Sequence, residues 1–239
     1  MADGGKARKT GAAEGPVKHY HGHRDRLRQR VLEGDGSHLA DYELLELLLC
    51  AFIPRIDVKP IAKEMIARFG SVSGALAASP ERLMEITGIG ESAASYIRAS
   101  HLLLQRAAGD EVKDRPVISN WAALLNYVKL ALRHETSEQA RVLYLDRKNK
   151  LIADEVVGRG TVDHAPVYPR EIARRALELA ASSIILVHNH PSGDPTPSRA
   201  DIDLTRDIEK ALAALEIKVH DHLVVGARET VSMKAKGLI

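Results

Sequence analysis

The hydrophobic pattern changes its period near residue 140. Upstream, apolar positions recur at helical spacing; downstream, short apolar runs alternate with helical stretches. Asp41 to Ile53 reads as an apolar helix stopped by Pro54. Lys59 to Phe69 reads as a second helix, with Gly70 at its C-terminal end. Val72 to Ala78 forms a short third. Ser79, Pro80 and Glu81 supply a cap, a first-turn proline and a first-turn acid, and start a helix running to about Ile86. Thr87-Gly88-Ile89-Gly90-Glu91 interrupts it, and a helix resumes over Ser92 to Ala108. Glu111 to Pro116 is charged and ends in proline, so it reads as a linker. Ser119 to Leu132 is one more helix.

Strands enter after Ala140. Val142 to Asp146 and Leu151 to Val157 flank the polar turn Arg147-Lys148-Asn149-Lys150 and predict a hairpin. Pro169 opens a helix to about Ala181. Ser183 to Val187 is a buried strand, and Asp201 to Leu215 an amphipathic helix. Val219 to Val225 and Thr230 to Met233 close around a turn at Gly226. The chain is therefore predicted to be α+β: a disordered tail over residues 1–17, an all-helical domain over 18–112 and a mixed α/β domain over 117–239.

Composition narrows the function classes. At 239 residues, with 45% hydrophobic and 28% charged positions, the chain is that of a globular protein with a sizeable core. No apolar run approaches the ~20 residues of a membrane span, and residues 1–15 carry no apolar signal segment, so a cytoplasmic protein with no membrane partner is expected. Cys50 is the only cysteine, which excludes an internal disulfide and a cysteine-based zinc site; its apolar surroundings predict a packed core thiol. The formal net charge of +2 is too small to argue for nucleic acid, but Lys18, Arg24, Arg26, Arg28 and Arg30 cluster against Asp25 alone. With His19, His21 and His23 among them, this stretch reads as a solvated or phosphate-facing surface.

The chemistry concentrates after the Ser183 strand. Residues two apart on a strand share a face, so His188 and His190 converge while Asn189 points away. Pro191 and Gly193 turn the chain. Ser198 is a fitting N-cap, which puts Asp201 in the first turn of the next helix. Two imidazoles and one carboxylate leave a fourth tetrahedral position open, the composition of catalytic Zn²⁺ rather than structural zinc. A general base is still required. Glu155, in a strand among apolar residues, is the first choice; Glu171, explicable by the helix dipole, is the second. Ser198 also suits an oxyanion donor. His220-Asp221-His222 repeats the spacing without a following helical carboxylate, and reads as a neighbouring strand that supports the site from behind.

Gly88-Ile89-Gly90, between a short helix and a small-residue helix, resembles a helix-hairpin-helix. Its glycines permit a tight turn, and free N–H groups at the next helix start hold a phosphate, so DNA is the expected partner there.

His188-x-His190-Pro191 with Ser198 and Asp201 resembles the JAMM motif of MPN+ metalloproteases. Asp154-Glu155, Gly160-Thr161, Pro169-Arg170-Glu171, His188-Asn189-His190-Pro191-Ser192-Gly193 and Asp221-His222 together resemble the bacterial RadC family, as do His23 to Leu27 and Asp41 to Glu46. The resemblance implies an MPN fold, related to that of cytidine deaminases. It implies Zn²⁺ on His188, His190 and Asp201, with Glu155 and Ser198 serving the water and the oxyanion. Peptidase members carry Ser or Thr where Asn189 stands. The reading is a zinc-dependent amide hydrolase acting on protein or peptide, with a DNA-binding module and a role in repair or recombination. A metal-dependent nuclease and a non-catalytic DNA-associated adaptor are the alternatives.

Overall fold

The computed structural model describes residues 20–34, 36–54, 56–160 and 167–239; the expected tail over 1–17, His19 and the side chain of His21 lie outside this part. The chain forms two compact units, one of residues up to 75 with 80–94, the other of 76–79 with 95–239. Among the described residues no helix is long and apolar enough to cross a membrane.

The first unit is helical. Its elements are α1 (Tyr20–Leu32), α2 (Asp41–Phe52), α3 (Lys59–Phe69), the start of α4 (Val72–Ala77), α5 (Pro80–Met84) and the first residues of α6 (Glu91–Asp114). From Tyr20 onward, the basic stretch expected to be a solvated surface is helix α1. Its hydrophobic periodicity is weak because buried Leu27 shares the inner face with Arg24, which is also buried. Arg24 is spent on structure: its guanidinium donates to the carbonyl oxygens of Pro54 and Ile56, just past the end of α2. Such groups are costly to bury unpaired. His23 Nε2 lies 2.9 Å from Glu46 Oε1 on α2. Cys50 is buried, and burial raises its thiol pKa, as a packed thiol should show.

Gly88 turns the chain between α5 and α6 with a φ of +96°. An added Cβ there would stand 2.8 Å from Ile61 Cδ1, so the position needs glycine for both backbone and space. The expected linker over 111–116 is helical through Asp114. Val112 is buried in the core that includes α7, while the charges beside it face outward, so the charged letters mark an exposed helix face.

The second unit is a mixed sheet covered by helices on both faces, within the mixed α/β class expected for 117–239. A 3₁₀ turn (Val117–Asn120) leads into α7 (Trp121–Leu132), followed by β1 (Gln139–Leu145), β2 (Leu151–Arg159), α8 (Pro169–Glu178), β3 (Ser183–Asn189), α9 (Arg199–Ala213), β4 (Lys218–Val225) and β5 (Thr230–Ser232). Among the described residues the strand order is β2-β1-β3-β4-β5, with β3 and β4 parallel and the other pairs antiparallel. Alternation sorts the side chains. Leu143, Leu145, Ile185, Val187 and Leu223 pack with Leu124, Val128 and Leu132 of α7. Val142, Tyr144, Ile184 and Leu186 pack with Ile172 and Ala176 of α8 and Ile208 and Leu212 of α9. Strand β3 is buried at every position because it has neighbours on both sides and helices on both faces.

Candidate metal centre

The α9 crossover joins two parallel strands, and the crevice at the carboxyl end of such a strand is where open α/β sheets hold ligands. Here that end carries His188, the first helical turn carries Asp201, and the loop between them carries His190. Gly193 sets the loop's course: its φ is +88°, and a Cβ would come within 2.9 Å of the Ala227 Cβ. Asp194 Oδ1 accepts from the N–H and hydroxyl of Thr196, which turns the chain toward α9. Ser198 caps α9, its Oγ accepting the Asp201 N–H at 3.1 Å while Asp201 Oδ2 accepts the Ser198 N–H at 2.7 Å.

His188, His190 and Asp201 come together, each offering one donor atom, and these atoms lie within 4.8 Å of one another. The two Nε2 atoms are 3.0 Å apart. Asp201 Oδ1 lies 3.4 Å from His188 Nε2, and Oδ2 lies 3.6 Å from His190 Nε2.

Hydrogen bonds decide which imidazole nitrogens face the centre. A carbonyl only accepts, so the Thr205 hydroxyl donates to Asp201 O at 2.6 Å. Thr205 Oγ1 must then accept a hydrogen from His222 Nδ1, also at 2.6 Å. His222 is fully buried, and burial holds its imidazole neutral, with its pKa well below the ordinary value. Its Nε2 is therefore a bare acceptor. His188 Nδ1, 2.8 Å away, supplies the hydrogen, leaving His188 Nε2 with its lone pair toward the centre. His190 Nδ1 donates to the carbonyl of Asp194 at 2.8 Å, so its ligand atom is also Nε2. The spacing His220-Asp221-His222 thus supplies a supporting residue. His222 backs His188, while His220 Nε2 meets Asn149 Oδ1 and Asp221 accepts from Ser232 Oγ and the Lys234 N–H.

Charge is arranged to match. Burial pushes the His188 pKa down to about 4, against the raising effect of Asp201. The His190 pKa is raised, first by its hydrogen bond with Asp201. Burial alone would raise the Asp201 pKa, but the His190 hydrogen bond, the His188 charge and the two Ser198 contacts together hold it well below the carboxylate range. The two Nε2 atoms and the Asp201 carboxylate thus favour positive charge between them, and a cation suits the same donor set.

Asn189 faces the opposite side of β3, as expected. Its Oδ1 accepts the Gln139 N–H at 2.9 Å, and its amide donates to Ser137 O at 3.1 Å. These bonds fix the segment leading into β1, and that segment brings a residue to the centre which sequence reasoning missed. Ala140 pairs with His188 across the antiparallel β1–β3 ladder, and Glu138 lies two residues before Ala140, just ahead of β1. Glu138 lines the cavity that His188 and Asp201 also line.

Glu155 is not among these residues. Sheet order places β1 between β2 and β3, and Arg175 of α8 grips both Glu155 oxygens, Nε at 3.0 and 2.9 Å. That hydrogen bonding lowers the Glu155 pKa. Glu155 lines a separate depression with Glu171, Arg174 and Glu178, and Glu171 is paired with Arg174. Ser198 lies at the site through its contacts with Asp201. Gly88, Ile89 and Gly90 belong to the helical unit: Ile89 is buried, and a Cβ on Gly90 would meet nothing within 4 Å.

Residues 118–238 match the family model described as a RadC-like JAB domain, and residues 19–95 match that described as UPF0758 N-terminal. A UPF0758 protein of Rhodobacter capsulatus is 54% identical over 213 residues, covering 89% of this chain and 100% of that protein. With a metal-compatible His/His/Asp cluster at the carboxyl end of β3 and similarity along nearly its whole length, this chain belongs to the RadC family of UPF0758 proteins with a JAB domain.

Proposed function

We propose that the chain is a zinc-dependent hydrolase that cleaves amide bonds of a protein or peptide. The observation that carries this reading is the convergence of two imidazole Nε2 atoms and one carboxylate within 4.8 Å, with hydrogen bonds that hold both Nδ1 atoms as donors. Three such ligands with a position left open are the set used by catalytic zinc. When bound, the ion supplies Lewis acidity that brings water toward deprotonation near neutral pH and polarises a carbonyl.

The chain's own residues do the rest. His188, His190 and Asp201 hold the ion. Glu138 is the general base in this reading, in place of Glu155, because it lines the cavity of the ligands while Glu155 is held by Arg175. Glu138 takes a proton from water and returns it to the leaving amine. The Ser198 Oγ spends a lone pair on the Asp201 N–H and keeps its hydrogen to donate to the oxyanion. In the helical unit, duplex contact is assigned to the Gly88–Gly90 turn; affinity that falls steeply with salt tests it.

The deciding experiment incubates zinc-loaded protein with a peptide library and, separately, with plasmid DNA. Peptide cleavage abolished in His190→Ala supports the reading. DNA cleavage abolished in the same variant, with peptides intact, replaces it with a nuclease.

A further inference from the structure

The cavity at the metal centre has two unlike ends. Glu138, His188 and Asp201 line its polar end, and the remainder runs between the sheet and α9. Leu186 and Ile208 are buried there, while Val157, Val167 and Leu204 are only partly covered. Half-covered Leu and Val facing a concavity, rather than scattered over a convex surface, are what a ligand site presents. The cavity volume is about 180 Å³. A dry apolar cavity of ~150 Å³ accepts benzene, so this one has room for a side chain of similar size.

We propose that this cavity is a specificity pocket, which receives an aliphatic or small aromatic side chain from the residue beside the amide that the centre cleaves. The proposal rests on the amide-hydrolase reading and names the class of substrate for it. Geometry supplies the link. Leu186 is two residues before His188 on the same face of β3, and Leu204 is one helical turn after Asp201 on α9. A substrate whose carbonyl meets the ligands therefore has apolar surface within one residue's reach.

Charge narrows the class further. An acidic side chain entering this end would lose its water without gaining a partner. Arg141 is the cation that lines the cavity, and its guanidinium is already committed to Asp154 through Nε at 2.9 Å and Nη2 at 2.8 Å. Asp201, the acid on the α9 side, is engaged with Ser198 and the two histidines. An acidic side chain finds no free counter-charge at Arg141, whereas an apolar one gains by burial.

The test uses the full-length protein and two hydroxamates. Zinc binding is first measured by competition with a chelator. Dissociation constants are then compared for acetohydroxamate, which offers only the metal-binding group, and 4-methylpentanehydroxamate, which adds a branched chain long enough to enter the cavity. The longer compound should bind at least about tenfold tighter. Val157→Phe, on edge strand β2 where a larger ring is easily accommodated, should cut that ratio to about twofold or less while the chain still loads zinc. Leu204→Phe serves the same purpose from α9 should the first variant fold poorly. Equal affinities in the natural protein, or a preference that survives in both filled variants, would overturn the pocket and leave the zinc reading standing. A chain that binds no zinc would overturn that reading and the pocket with it.

Discussion

Two depressions on the α8 and α9 side of the sheet both gather carboxylates, and they differ in what answers the charge. In one, Arg175 holds both oxygens of Glu155 and also reaches Glu178, while Arg174 pairs with Glu171 and Glu178. In the other, Asp201 faces two imidazoles. A guanidinium matches a carboxylate with a planar fork and never gives up its proton. An imidazole yields its proton near neutral pH, and the nitrogen it frees binds metals. The first depression is thus a closed set of ion pairs, and in the second the groups that answer Asp201 are imidazoles, whose protons are replaceable. What distinguishes a site from a salt-bridge cluster here is whether the counter-charge can leave.

Removing Glu138, the base proposed for the second depression, should have the largest effect on turnover at unchanged zinc content. Glu138→Gln is expected to lower hydrolysis by roughly 10²- to 10⁴-fold while zinc content is unchanged. Steady-state rates and metal analysis on the same sample check this. Next come the residues behind the ligands. Thr205→Val keeps the shape but takes away the acceptor that orients His222 and, through it, His188. Zinc affinity should fall by ~10- to 100-fold, measured by chelator competition. An unchanged affinity would break the account of how the His188 tautomer is fixed.

The pH dependence of zinc binding follows from the same asymmetry. His188 titrates at about 4 in the metal-free chain, so it is neutral through the working range. His190 has a raised pKa, above its ordinary 6.5, so it binds a proton that zinc must displace. Below that raised pKa, apparent zinc affinity should drop about tenfold per pH unit, the slope of one proton, and above it the dependence should flatten. A slope of two would mean that both imidazoles compete. The smallest effect belongs to the first depression. Glu155→Gln breaks a partly exposed ion pair, so metal content should not change and the melting temperature should move by only a few degrees.

The elements that carry the site were legible because their signals are local. Lys59 to Phe69 has its C-terminal end marked by Gly70, and it forms as expected. His188, His190 and Asp201 were legible because strand alternation and a helix cap place them within one turn of chain. The base was not. Choosing Glu155 required knowing which strand lies beside β3, and sheet order is set by packing rather than by any local pattern. The signal that would have brought Glu138 forward as a candidate is a glutamate just ahead of a strand antiparallel to the histidine strand. It becomes readable only once Ala140 is paired with His188. Helix α1 was missed for a related reason: Arg24 occupies an inward position by donating to loop carbonyls, and a pattern scored on apolar letters reads it as surface.

The central claim is that His188, His190 and Asp201 form one metal centre. Metal content of the purified chain, dialysed with limiting zinc and quantified by mass spectrometry beside Asp201→Ala, tests it most directly. The account predicts about one zinc per natural chain and almost none in the variant. Stoichiometric zinc retained in Asp201→Ala, with its fold intact, would contradict it.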